Sequence, residues 1–304
     1  MKNLIIIPPN FAIGDAISVI GLIYYSLNHY NKVYYHLGGQ QFLISYFSDY
    51  FINDPLFNNR IFITSQPDVL INNGEYGEYH VCNTLTGDWL SAKNDFSELK
   101  NIDKEYYFND ANPIYNKLDV PEKYKCSTNK HLPNRSFEIN HIFYYELIGL
   151  NNNIRMDYFN YERNLTLENE YKLSILNRFG LNESDKYNIV NDPINRVNEL
   201  KQHINNDYQI INIHFLAPSP GCLISLLEGA ETIHFIEGCN VNFFYHCQYK
   251  KLFNYDKKIH FHIWARNRNW PDNNMHLDFA WKMMTFPKIY NWEFIFDKEQ
   301  LKIS

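Results

Sequence analysis

Several signatures that would announce a function are missing from this chain. No G-x-G-x-x-G follows an apolar run, which disfavours a dinucleotide site of the fingerprint type. No G-x-S-x-G is present, so the nucleophile elbow of serine hydrolases is absent. The 12 histidines contain neither H-x-x-x-H nor H-E-x-x-H, and no metal-ligand spacing emerges from them. Cysteine is scarce. Cys82, Cys126, Cys222, Cys239 and Cys247 form no C-x-x-C, and an odd number in so long a chain points to reduced thiols in a cytosol-like compartment. There is no basic surplus: 28 Lys and Arg stand against 34 Asp and Glu, which leaves no positive footprint for nucleic acid. Nor does any apolar run reach the ~20 residues of a membrane span. The run after Lys2 is broken by Pro8, Pro9 and Asp15, so it does not read as a signal peptide and the expected location is cytoplasmic.

What is present is a folded α/β pattern. Hydrophobic residues make up 45% of the 304 and charged ones 20%, a balance that builds a core and excludes a disordered chain. The length suits two domains of ordinary size. Tyr and Phe are abundant at 24 and 22, beside many Asn, Ile and Lys, as AT-rich coding would produce, and are not taken as a binding device. The sequons at Asn134, Asn164 and Asn182 are read as incidental in an Asn-rich chain.

Leu4 to Ile7 is a continuous apolar strand of the kind covered on both faces, and an apolar helix follows from Gly14-Asp15. KVYYHLGG reads as strand and turn, QFLISYFSDYF as helix, NRIFITS and YHVCNTL as strands. From Ser91 to Leu132 the pattern weakens, and a loop-rich segment is expected. Helices are expected over Phe137–Leu150 and Thr166–Leu181, the second with a near capping box from Thr166 to Glu168 or Asn169. A boundary is expected near 160 to 186, where NESDKYN opens a second alternating series. Its strands are YNIVNDP, QIINIHF, TIHFIEG and KKIHFHIWA, and its helices RVNELKQHI, CLISLLEGA and CNVNFFYHC. Two α/β domains, 1–160 and 161–304, are the expectation.

In such sheets ligands sit beyond the carboxyl ends of the strands, which directs attention to the loops there. Arg196 offers a planar donor fork suited to phosphate. Ser219 and the backbone N–H groups near Gly221 precede a helix, where anions bind. Glu237, at a strand's carboxyl end, is placed to accept from ribose hydroxyls. His234 alternates with Ile233 and Phe235 and is expected to be a hydrogen-bonded core histidine; His260 and His262 share one strand face. Asp15 reads on its own as a helix-capping carboxylate and, in a two-domain setting, as a candidate general base.

The run from Glu228 to Pro271 resembles a recurrent segment of two-domain GT-B glycosyltransferases. Glu228, Ala230, Glu231, Ile233, His234 and Ile236 match its helix and strand, and His262, Ala265 and Arg266 its final strand. The stretch with Arg155, Phe159 and Arg163 resembles their inter-domain segment. Gly14-Asp15 is similar to the Gly-Asp of heptosyltransferase-like enzymes, where the aspartate is the base. One departure is the loop Glu237-Gly238-Cys239-Asn240, where the family has an Asp- or Ser-rich loop. The resemblance implies two Rossmann-like domains facing a central cleft and a metal-independent transfer without cofactor. A nucleotide-sugar donor would lie on the second domain, and a glycan or small-molecule acceptor on the first. The implied donor-binding residues are Asn191, Asp192, Arg196, His214, Ser219, Gly221, Glu237 and Asn240; Gly14 and His36 fall on the acceptor side. The alternatives are a nucleotide-sugar epimerase and a non-catalytic glycan- or nucleotide-binding protein of the same fold.

Overall fold

The computed structural model describes residues 3–8, 13–38, 40–65, 78–83, 88–93, 145, 150–151, 153–192, 200, 204–205, 207–214, 216–236, 239–262 and 292–295. The chain divides into two compact units, Met1–Asn160 and Tyr161–Ser304, and each is an α/β unit built on a five-stranded sheet.

In the first unit β1 (Asn3–Ile7), β2 (Val33–His36), β3 (Ile61–Thr64), β4 (Glu78–Asn83) and β5 (Asp88–Lys93) lie in the order β3-β2-β1-β4-β5. All pairs are parallel except β4–β5. Leu4, Ile5 and Ile6 are wholly buried in the centre, which is why β1 is apolar without alternation. After β1 come α1 (Ile13–Ser18) and α2 (Ile20–Ser26), interrupted at Val19, where the Tyr145 hydroxyl donates to the Ser18 carbonyl. Between β2 and β3 runs α3 (Gln41–Phe51), which buries Leu43, Tyr46, Phe47, Tyr50 and Phe51 at helical spacing. Phe47 meets Tyr35 of β2 edge-on at 5.4 Å, and Tyr50 meets Phe159 at 6.4 Å. Most of these aromatics are thus core.

Gly21 is required by a close approach. A Cβ there would lie 2.5 Å from the Arg155 carbonyl oxygen of α4 (Ile154–Asp157), so α2 and α4 touch backbone to backbone. At the end of α2 the Arg60 guanidinium donates to the carbonyls of Leu27, Tyr30 and Asn31 at 2.7–2.9 Å, satisfying groups the last turn leaves open. One expectation is corrected. The segment from Ser91 begins inside a strand: β5 folds back on β4 with Cys82 opposite Trp89, an antiparallel edge on a parallel sheet.

The second unit opens with α5 (Leu165–Arg178). Its cap is Asn164, whose Oδ1 accepts from the Leu167 N–H at 3.1 Å, so the expected Thr166 box is displaced two residues upstream. Then follow β6 (Tyr187–Asn191), β7 (Gln209–Asn212), a 3-10 turn (Pro220–Leu223), α6 (Ile224–Glu228), β8 (Thr232–Ile236), α7 (Cys239–Tyr249), β9 (Ile259–His262) and β10 (Trp292–Ile295). The order is β10-β9-β8-β6-β7, parallel throughout. KKIHFHIWA supplies β9, and β10 adds a further parallel strand beside it. On one face Phe235 stacks on Phe244 of α7 and on Trp292 of β10, at 5.5 and 5.6 Å. The helices expected over 137–150 and 196–204 lie outside the described residues, apart from Tyr145, Leu150, Leu200 and Ile204.

Candidate functional site

In the second sheet the first strand, β6, has its successor β7 on one side and β8 on the other. Crossovers that leave a strand in opposite directions open a crevice at its carboxyl end, the usual ligand position in doubly wound sheets. The polar residues beyond β6, β7 and β8 meet there.

Asn191 ends β6 with 1% of its surface exposed, and its Oδ1 accepts from Asn240 Nδ2 at 3.0 Å. Asn240 is the second residue of α7, so this bond crosses the switch point between β6 and the helix after β8. Asp192 is also buried. Its N–H donates to Asn212 Oδ1 at 3.1 Å, and its carbonyl accepts from Asn212 Nδ2 at 3.2 Å. The same Oδ1 accepts from the His214 N–H at 3.2 Å. Asn212 therefore splices the ends of β6 and β7 and sets the loop that carries His214. Sequence alone does not single out Asn212, which lies inside the run QIINIHF.

Burial holds the His214 imidazole below its ordinary pKa, with the nearby Asp192 charge acting in the other direction. The folded state thus favours neutral His214. As pH falls from about 6.5 the unfolded chain takes up the proton first, and stability drops until the folded-state pKa is passed. Urea melts of His214→Gln and wild type are expected to diverge between pH 7 and 5, with wild type losing more on acidification. Parallel pH profiles would contradict this.

Among the described residues no hydrogen bond joins Ser219 or Gly221 to that group. Ser219 is buried at the N-cap of the 3-10 turn without a capping bond, its hydroxyl 3.5 Å from Cys222 Sγ. The face of Gly221 is covered by Tyr161: a Cβ on the glycine would overlap the tyrosine hydroxyl. Burial pushes the Tyr161 phenol well above its usual pKa, so it stays protonated. Arg196 and Glu237 lie outside the described residues.

His234 does hydrogen-bond within the sheet. Its Nδ1 is 3.0 Å from His262 Nε2 on the neighbouring strand, and its ring stacks on His260 at 4.6 Å. His260 Nδ1 lies 3.4 Å from the Glu293 carboxylate of β10. Register sets the three imidazoles on the face opposite Phe235. Among the described residues, no group of three His, Cys, Asp or Glu side chains is arranged to hold a metal ion.

In the first unit Gly14 and Asp15 fall in the opening turn of α1, which follows β1, the strand flanked by β2 and β4. Asp15 is the third residue of the helix, within its first turn, and does not occupy the N-cap; its side chain lies outside the described residues. The Gly14 carbonyl accepts from Ser18 Oγ at 2.9 Å, and Tyr35 of β2 donates to the Ala16 carbonyl at 2.8 Å, which ties α1 to the sheet. His36 ends β2 and is buried. Within the described residues no helix is long and apolar enough to cross a membrane.

No family model, curated protein or solved structure matches this chain.

Proposed function

We propose that the protein is a metal-independent glycosyltransferase of the GT-B type, taking a sugar from a nucleotide-sugar donor to a hydroxyl of a glycan or small-molecule acceptor. The observation that carries this reading is the Asn191–Asn240 bond at the β6/β8 switch point, with Asp192 and His214 beside it. A second sheet of doubly wound order in the first unit, with Gly14-Asp15 in the helix after its central strand, supports it further. In this reading the donor lies against Asn191, Asp192, His214 and Asn240, with Arg196 and Glu237 from the adjoining segments. Asp15 accepts the proton of the acceptor hydroxyl as its oxygen bonds to the anomeric carbon. The bond from that carbon to the nucleotide's phosphate oxygen breaks, and the nucleotide leaves with the electron pair.

A thermal-shift screen with UDP, GDP, CMP, dTDP and their common sugars, with and without EDTA, tests it. A ligand at 100 times its dissociation constant stabilises by about 2.7 kcal/mol. One nucleotide is expected to stand out, and EDTA to leave its shift unchanged. A shift abolished by EDTA would overturn metal independence, and no shift with any nucleotide would overturn the reading.

A further inference from the structure

We infer that Asn212 is a positioning residue: its side-chain amide holds His214 at the carboxyl edge of the second sheet, beside Asp192, and so sets the contact His214 makes with a bound ligand. The identity of that ligand rests on the nucleotide-sugar reading; the placement of His214 rests on geometry.

The backbone ladder between β6 and β7 does not need this side chain. Register pairs run from Tyr187 with Gln209 to Val190 with Asn212, and the Ile213 N–H still donates to the Val190 carbonyl at 2.8 Å. Asp192 and His214 lie past those pairs, where polar main-chain groups must find other partners. Asn212 supplies them with a side chain that copies a peptide. Its Nδ2 donates to the Asp192 carbonyl at 3.2 Å, and its Oδ1 accepts from the Asp192 N–H at 3.1 Å. Both main-chain groups of one residue are thus held as a neighbouring strand would hold them. The same Oδ1 accepts from the His214 N–H at 3.2 Å, an Asx turn over Ile213 that fixes how the chain leaves β7.

One oxygen therefore gathers the main-chain nitrogens of two residues from different strand ends. Asp192 is 2% exposed, and His214 is half-buried. Among the described residues, the Asp192 carboxylate is the charge that acts on the imidazole, against the larger effect of burial. The pair stands where doubly wound sheets meet their ligands. The Asn191–Asn240 bond ties β6 to α7 and shapes a different part of that edge.

Two measurements test this role. Imidazole NMR follows His214 without any ligand, its signal assigned by loss in His214→Gln. Wild type is expected to titrate below the ordinary imidazole value, and Asn212→Ala to move the midpoint up toward it as the ring leaves its buried position. Asn212→Ser keeps an oxygen for the turn and should lie between the two; it also stands in for the alanine variant should that fail to fold. An unmoved midpoint in the folded variants would overturn the inference.

Titration calorimetry with UDP, GDP, CMP and dTDP separates positioning from general stability. Asn212→Ala should weaken the nucleotide that wild type binds by about 3–10-fold, the range of a lost hydrogen bond. It should have almost no further effect when His214 is already glutamine, because residues acting as one unit are not additive. An equal loss in both backgrounds would show a purely structural role and overturn the inference. A moved midpoint with no nucleotide bound by wild type would uphold the placement of His214 and overturn the glycosyltransferase reading. Nucleotide binding with an unmoved midpoint would do the reverse.

Discussion

Arg163→Met is expected to destabilise the second unit by about 3–5 kcal/mol, the range for removing one partner of a buried ion pair. The Arg163 guanidinium binds Glu168 through Nε and Nη2, reaches Glu228 through Nη1 at 2.8 Å, and also donates to the Leu252 carbonyl at 3.0 Å. Glu168 is almost completely buried in the first turn of α5, where Ser225 Oγ adds a bond at 2.8 Å. Glu228 ends α6 and accepts from the Asn254 N–H at 2.8 Å. One cation thus joins α5, α6 and the segment after α7. Although burial works against the charge, the hydrogen bonds and charges of Glu168 and Glu228 hold the guanidinium's pKa above its ordinary value. Methionine fills similar space and strands the Glu168 carboxylate in the interior. Adding Glu168→Gln should recover part of the loss, because the amide needs no counter-charge. Urea melts of the two single variants and the double variant measure this; a loss below about 1 kcal/mol for Arg163→Met would show that the network behaves as a surface pair.

Under the proposed transferase function, Asp15→Asn is expected to lower sugar transfer by about 10²–10⁴-fold, the usual contribution of a positioned general base, while leaving donor affinity unchanged. The argument joins sequence to placement. Asp15 stands in the first turn of the helix that leaves β1, and β1 is the strand from which the first unit's sheet extends both ways, to β2 and to β4. Residue 15 thereby falls at the edge where doubly wound sheets hold ligands. Asparagine preserves size and hydrogen-bonding capacity but accepts no proton from a hydroxyl. Transfer assays with the donor named by thermal shift should show a reduced kcat with little change in donor KM, as removal of a transition-state contribution predicts. Equal turnover would remove Asp15 from the mechanism.

The two parallel sheets were readable in the sequence because their signals are local. Leu4 to Ile7, Gln41 to Phe51 and Thr232 to Ile236 each carry a period or an apolar run that few backbone conformations satisfy. The same holds for His234, whose alternation with Ile233 and Phe235 assigns it a sheet face before its partner is known. β5 and β10 escaped because each acquires its identity from the strand it pairs with, β4 and β9. The cap of α5 was misplaced by two residues because Asn164 and Thr166 are both acceptable caps by type, and only backbone direction chooses between them.

At the candidate site the division is sharper. The sequence by itself determined the strands and the helix that carry it, and that Asn191 and Asn240 stand at the ends of such elements. Only the tertiary structure decided that Asn240 meets Asn191 across 49 residues, that Asn212 ties Asp192 to His214, and that Tyr161 fills the space over Gly221. The reason is physical. Periodicity reflects the burial of one residue at a time along one element, whereas a hydrogen bond between amides depends on sheet order and register, which arise only when separate elements compete for the same core.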